Sequence, residues 1–124
     1  MIKLRVSTYL MDRGTRLVAA QPHAVEVPHG EGVTLNGQVY RDDLTVPDLT
    51  SLTITFRIVT PTSGSRLYEP TSTNGDRHGR FTLTATPPTS IQPGTYHWDL
   101  WLSLGGAPYQ IMPLSAWNVH LSSR

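Results

Sequence analysis

Pro93-Gly94-Thr95-Tyr96-His97-Trp98-Asp99-Leu100-Trp101-Leu102-Ser103-Leu104 is the stretch that decides the fold. Pro93-Gly94 is turn chemistry, since proline presets φ and glycine accepts φ > 0. After it the chain alternates. Tyr96, Trp98, Leu100, Leu102 and Leu104 fall on one face, and His97, Asp99, Trp101 and Ser103 on the other. A period of two is the signature of a strand with one buried side. Trp98 is expected as the largest core side chain, and truncating such a residue costs ~3–5 kcal/mol. Tyr96, just after the turn and two residues before Trp98, stands where a sandwich places a corner tyrosine whose hydroxyl bonds back to upstream backbone. Trp101 points away from that core, so it either packs under another segment or meets a partner.

The chain has 124 residues, room for one domain with a real core. Charged residues are only 15%, while glycine and proline number 10 each. That balance, with abundant Thr, Val and Leu, favours strands over helices. No window carries apolar residues at i, i+3, i+4 and i+7, so almost no helix is expected. The net charge of +1 gives no general drive toward nucleic acid or an anionic membrane. Zero cysteine removes disulfides, thiolate metal sites and a thiol nucleophile. The opening Met-Ile-Lys-Leu-Arg-Val alternates apolar and basic residues, which reads as a strand and not as a signal peptide. A soluble protein made in the cytoplasm is expected.

Working outward, Ile2, Leu4 and Val6 alternate with Lys3, Arg5 and Ser7, a turn follows at 11–14, and residues 15–20 complete an N-terminal hairpin. Residues 1–21 are therefore expected as a hairpin or attachment arm, and 22–124 as the sandwich. Lys3, Arg5, Arg13 and Arg16 make the arm basic, and solvated charges that blunt a sheet edge are its plainer reading. Residues 24–27, between Pro22 and Pro28, suit an edge strand. Val33, Leu35, Gly37 and Val39 form the next strand, with Gly37 read as a bulge. Leu52, Ile54, Phe56 and Ile58 form another, with Phe56 facing Trp98 in the core. A loop over 61–78 holds one short strand near 66–69. Phe81, Leu83 and Ala85 precede the central strand, and Trp117, Val119 and Leu121 close the fold antiparallel to it. The expected class is an all-β, antiparallel Ig-like β-sandwich with an extra N-terminal β-hairpin. Phe56, Tyr96, Trp98 and Trp117 are its expected core.

Chemistry is sparse. His23, His29, His78, His97 and His120 form no metal-binding pattern, and no serine lies in Gly-x-Ser-x-Gly. His97 and His120 on neighbouring strands, beside Asp99, are the one arrangement that suggests zinc. Local hydrogen bonding is the plainer reading. Asp42, Asp43 and Asp48 flank a loop, but the spacing is not an EF-hand and its glycine is missing. No cofactor and no enzymatic activity are expected. The aromatics are the better lead: Trp101 and Tyr109, with Tyr40 and Tyr9, are candidates for a partly exposed patch that anchors a protein interface or stacks on sugar rings. Coverage of Trp101 by the N-terminal hairpin or the 61–78 loop is the alternative.

With these residues placed, a resemblance emerges. Asp48-Leu49-Thr50-Ser51-Leu52-Thr53-Ile54-Thr55-Phe56-Arg57-Ile58 resembles the "DLTG-x-T-V-T-F-R-I" segment of small Ig-like proteins of tailed phages, a family that includes the N-terminal domain of upper baseplate proteins. Gly79-Arg80-Phe81-Thr82-Leu83 and the Gly94-Thr95-Tyr96 segment are similar to its later strands, followed by a two-glycine turn at 105–106 and a closing strand bearing Trp117. The resemblance covers about residues 33–121. Ser51 stands in place of the usual glycine, and Met112-Pro113-Leu114-Ser115-Ala116 departs from the expected "L-x-x-G-T". It implies a non-enzymatic virion component in capsid, tail or baseplate, binding other phage structural proteins in several copies. The expected interface residues are Trp101, Tyr109, Tyr9, Arg5, Arg13 and Arg16. A carbohydrate-binding module that holds a host glycan through Trp101 and Tyr109 is the alternative function. Neither nucleic acid nor membrane is an expected partner.

Overall fold

The computed structural model describes residues 1–14, 21–104 and 106–121. Among them nine strands follow in chain order: β1 (Ile2–Leu10), β2 (Val25–Pro28), β3 (Val33–Arg41), β4 (Thr53–Val59), β5 (Arg66–Tyr68), β6 (Thr71–Ser72), β7 (Arg80–Ala85), β8 (Gly94–Leu104) and β9 (Ala107–His120). The described residues contain no helix. A three-stranded sheet has the order β1-β3-β7, and a six-stranded one runs β2-β9-β8-β4-β5 with β6 paired to β4.

One hydrophobic core lies between the layers. Val33, Leu35 and Val39 of β3 and Phe81, Leu83 and Ala85 of β7 meet Ile54, Phe56 and Ile58 of β4 and Trp98, Leu100 and Leu102 of β8. Each set occupies alternate positions, as a strand with one solvated face requires. Phe56, Trp98 and Trp117 are all 0% exposed, with ring centroids 5.3–6.1 Å apart. In register, however, Phe56 pairs with Leu100 and Ile58 with Trp98, so Phe56 meets Trp98 diagonally within one sheet. Tyr96 packs on the edge of this core, and its hydroxyl donates to the Gln92 carbonyl at 2.7 Å.

The sandwich is not wholly antiparallel: both sheets are mixed. β1 runs parallel to β3, and β2 parallel to β9. Parallel neighbours need a crossover connection instead of a tight turn. β2 supplies it for the first pair, because the chain leaves the small sheet after β1, visits the large sheet as β2, and returns as β3. Alternation marks a strand's buried face but not its direction, so the sequence pattern is the same either way. β1, expected within an N-terminal hairpin, pairs along its length with β3 and contributes Val6 and Leu10 to the common core. The return strand expected at 15–20 lies outside the described residues. β2 sits at a sheet edge, as its flanking prolines suggest. The last strand ends at His120, and Leu121 beyond it is exposed.

Gly37 does not mark a bulge. Its register is continuous on both sides, Val6 to Gly37 and Gly37 to Phe81. A Cβ built there would sit 2.1 Å from the Phe81 ring, so the missing side chain is the space that ring occupies. Ser51 has φ of 64°, the left-handed conformation that glycine adopts without steric cost.

Candidate functional site

The outward face of the small sheet is built by three strands in register. Lys3, Thr34 and Thr84 form one row, Arg5, Asn36 and Thr82 the next, and Ser7, Gln38 and Arg80 a third. Tyr9 and Tyr40 close the face, stacked on each other with centroids 6.0 Å apart. Lys3 and Arg5 are exposed because they occupy the positions of β1 that alternate with buried ones. Lys3 and the second and third rows line a groove of about 1040 Å³, flanked on the β7 side by Asn74 and Asp76. Thr82 donates to the Asn36 side-chain oxygen at 3.2 Å, and the Gln38 amide donates to the His78 carbonyl at 2.8 Å. Asp76 accepts from the backbone N–H groups of His78 and Arg80 and from Arg80 Nε at 3.0 Å. The Arg80 backbone donor, first among these, holds the Asp76 carboxyl below its ordinary pKa.

The outward face of the large sheet has a different character. Arg57 grips Asp99 through Nε and Nη2, at 2.9 and 2.5 Å, and Gln110 Nε2 adds a contact at 3.3 Å. The Asp99 side chain is 1% exposed. Its hydrogen bonds to Arg57 raise the guanidinium pKa further. The same guanidinium lies 5.0 Å above the Trp101 ring, a cation–π stack that covers part of the indole. Trp101 Nε1 is buried without an acceptor among the described residues. Arg57 thus covers part of the Trp101 ring.

Trp101 and Tyr109 lie on opposite sides of the β8–β9 hairpin. Trp101 pairs with Gln110 on the outward face, whereas Tyr109 pairs with Leu102, whose side chain is in the core. Tyr109 is exposed at the core-side margin of the hairpin near its tip. Arg5 and Tyr9 belong to the small-sheet face. Arg13 is exposed just beyond β1, where its backbone N–H and that of Gly14 donate to the buried Asp42 carboxylate at 2.9 and 2.7 Å. Arg16 lies outside the described residues. Asn36, Gln38, Asn74 and Thr82 carried no sequence signal of their own, because only strand pairing gathers them.

Several other chemistry-bearing residues are engaged locally. His97 pairs with Ala116, while His120 sits four residues further along β9 and contacts Glu26 at 2.6 Å, so the two histidines are apart. Asp43 accepts from the Thr45 hydroxyl and backbone N–H, and Asp48 does the same with Thr50. In each the hydroxyl bond is the main cause that lowers the carboxyl pKa. Among the described residues no three His, Cys, Asp or Glu side chains gather as metal ligands.

An all-β two-sheet sandwich with polar outward faces is thus the class that the structure defines. Among solved structures it shares this fold with the N-terminal domain of phage TP901-1 ORF48. That likeness covers 98% of this chain and 100% of that one, with a TM-score of 0.56 at 10% identity. A crystal structure of an uncharacterized protein from Bacillus anthracis strain Ames matches 76% of this chain and 75% of that one, at 14% identity and a TM-score of 0.43. No family model matches the chain, and no curated protein matches it in sequence.

Proposed function

We propose that the protein is a non-enzymatic structural or accessory component of a phage virion. It attaches to capsid, tail or baseplate through protein–protein contacts, in several copies. The observation that carries this reading is the end-to-end likeness of its fold to a phage protein domain. Fold alone does not fix function, but two features of the chain agree with attachment. Asp43, Asp48, Asp76 and Asp99 are engaged in local turns and ion pairs, and a packed sandwich offers rigid outward faces that vary without disturbing the core. The attachment residues on this reading are Arg5, Tyr9 and Arg13 at the small sheet, with Trp101 on the large one. The test is deletion of the gene from the phage that encodes it, followed by electron microscopy of the particles. Loss of a discrete, repeated density supports the proposal, and particles unchanged in composition and density overturn it. Binding on a glycan array that disappears with Trp101→Ala would instead favour the carbohydrate-binding alternative.

A further inference from the structure

We propose that the groove on the outward face of β1, β3 and β7 is the docking site for an extended acidic segment of a partner protein, with Lys3 and Arg5 as its anchors. The virion reading is needed only to say which assembly supplies that partner.

Charge is the first argument. No outward strand position of this face carries an acid, and Asp76, the one acid among the described residues that line the groove, is engaged by Arg80 and by backbone donors. Lys3 and Arg5 make no ion pair among the described residues. A cation that merely blunts a sheet edge has no need of a lined groove. Here Lys3 and Arg5 border one side of it, while Asn74 and Arg80 border the other.

Spacing is the second. Lys3 and Arg5 are alternate residues of one strand, so their side chains repeat at about 6.6 Å. An extended partner presents its own alternate side chains at the same interval, which lets two carboxylates meet two cations without bending. Arg5 offers the planar fork that takes a carboxylate at two points. Ser7, Asn36 and Thr82 lie within the same rows, where their hydroxyl and amide groups suit a peptide backbone and polar side chains.

These features favour a peptide over a nucleic acid. Single-stranded nucleic acid is held by stacking bases on free aromatic faces. Tyr9 and Tyr40, the aromatics of this face, stack on each other. Two unpaired cations also give a small phosphate-neutralising charge.

The test is an NMR titration of the ¹⁵N-labelled full chain with a capped octapeptide of alternating Glu and Ser, at low and at high salt. The expected result is salt-sensitive binding with amide shifts centred on Lys3, Arg5, Ser7, Asn36 and Gln38. Arg5→Glu should weaken it by about tenfold, since a charge-assisted contact becomes a repulsive one. Arg66→Glu, which makes the same charge change on exposed β5 of the other sheet, should leave it unchanged. Shifts elsewhere, no shifts, an equal loss with Arg66→Glu, or tighter binding of an eight-nucleotide oligo-dT through this face would each overturn the proposal. A chain that enters particles but ignores the peptide would reject this site and leave the virion reading standing. Peptide binding by a chain missing from particles would do the reverse.

Discussion

Arg57 and Asp99 face each other across β4 and β8 and join by two hydrogen bonds on the outward side of the large sheet. The pair sits away from the apolar core, yet Asp99 is enclosed by Arg57 and Gln110 with Trp101 alongside. Removing one member leaves the other's charge desolvated, which typically costs ~3–5 kcal/mol for a fully buried pair. The Arg57 side chain is 19% exposed, so Arg57→Ala should lower stability by less, about 2–3 kcal/mol. The double change Arg57→Met with Asp99→Leu should cost less than either single loss. Urea denaturation of Arg57→Met, Asp99→Leu and the double variant checks this, and a double variant less stable than either single would contradict it.

Gly37 and Phe81 test the packing of the small sheet. Because a Cβ at position 37 would overlap the Phe81 ring, Gly37→Ala forces that ring out of place. Overpacking of a core costs ~1–3 kcal/mol, and contact this close should fall at the upper end. Adding Phe81→Leu should recover part of the loss, and a thermodynamic cycle should show coupling between the sites. Strict additivity would mean that the ring is not held over the glycine.

Ser51→Gly should stabilise the protein. Left-handed backbone costs an L-residue ~1–2 kcal/mol, whereas glycine's added freedom in the unfolded chain returns ~0.4–1 kcal/mol of that. A net gain of about 0.5–1 kcal/mol should appear as a Tm rise of about 2–5 °C. A fall in Tm would show that the serine does more at this turn than its conformation suggests.

Asp76 should titrate below the ordinary aspartate value of 3.8, because its folded-state pKa is lowered by the Arg80 and His78 donors. A depressed folded pKa means that its contribution is fully present above the unfolded value and is lost as pH falls through the folded one. The amide signals of His78 and Arg80 should therefore shift with a midpoint below pH 3.8, and Asp76→Asn should abolish the transition. A midpoint at or above 3.8 would contradict the hydrogen-bonded turn.

The sequence made the buried face of nearly every strand legible, since alternation reports which side is apolar. Trp98, Phe56 and Trp117 could be placed inside on that basis, and the Tyr96 hydroxyl bond on its position after the turn. Strand direction and partnership were not legible. Lys3 and Arg5 of β1, Asn36 and Gln38 of β3, and Arg80 and Thr82 of β7 become one surface only through a parallel and an antiparallel pairing, neither of which leaves a local mark. That Tyr109 and Trp101 lie on opposite sides of the hairpin was not legible either, because it follows from the pairing of Trp101 with Gln110 and of Leu102 with Tyr109. The Arg57–Trp101 stack likewise depends on which strand lies beside β8.

The most direct test of the virion reading is quantitative mass spectrometry of gradient-purified phage particles released from cells that carry the gene for this chain. The account predicts this protein in the particle fraction at a fixed ratio to the major structural proteins, unchanged by further purification. Its recovery only as free protein, with none on the particles, would contradict it.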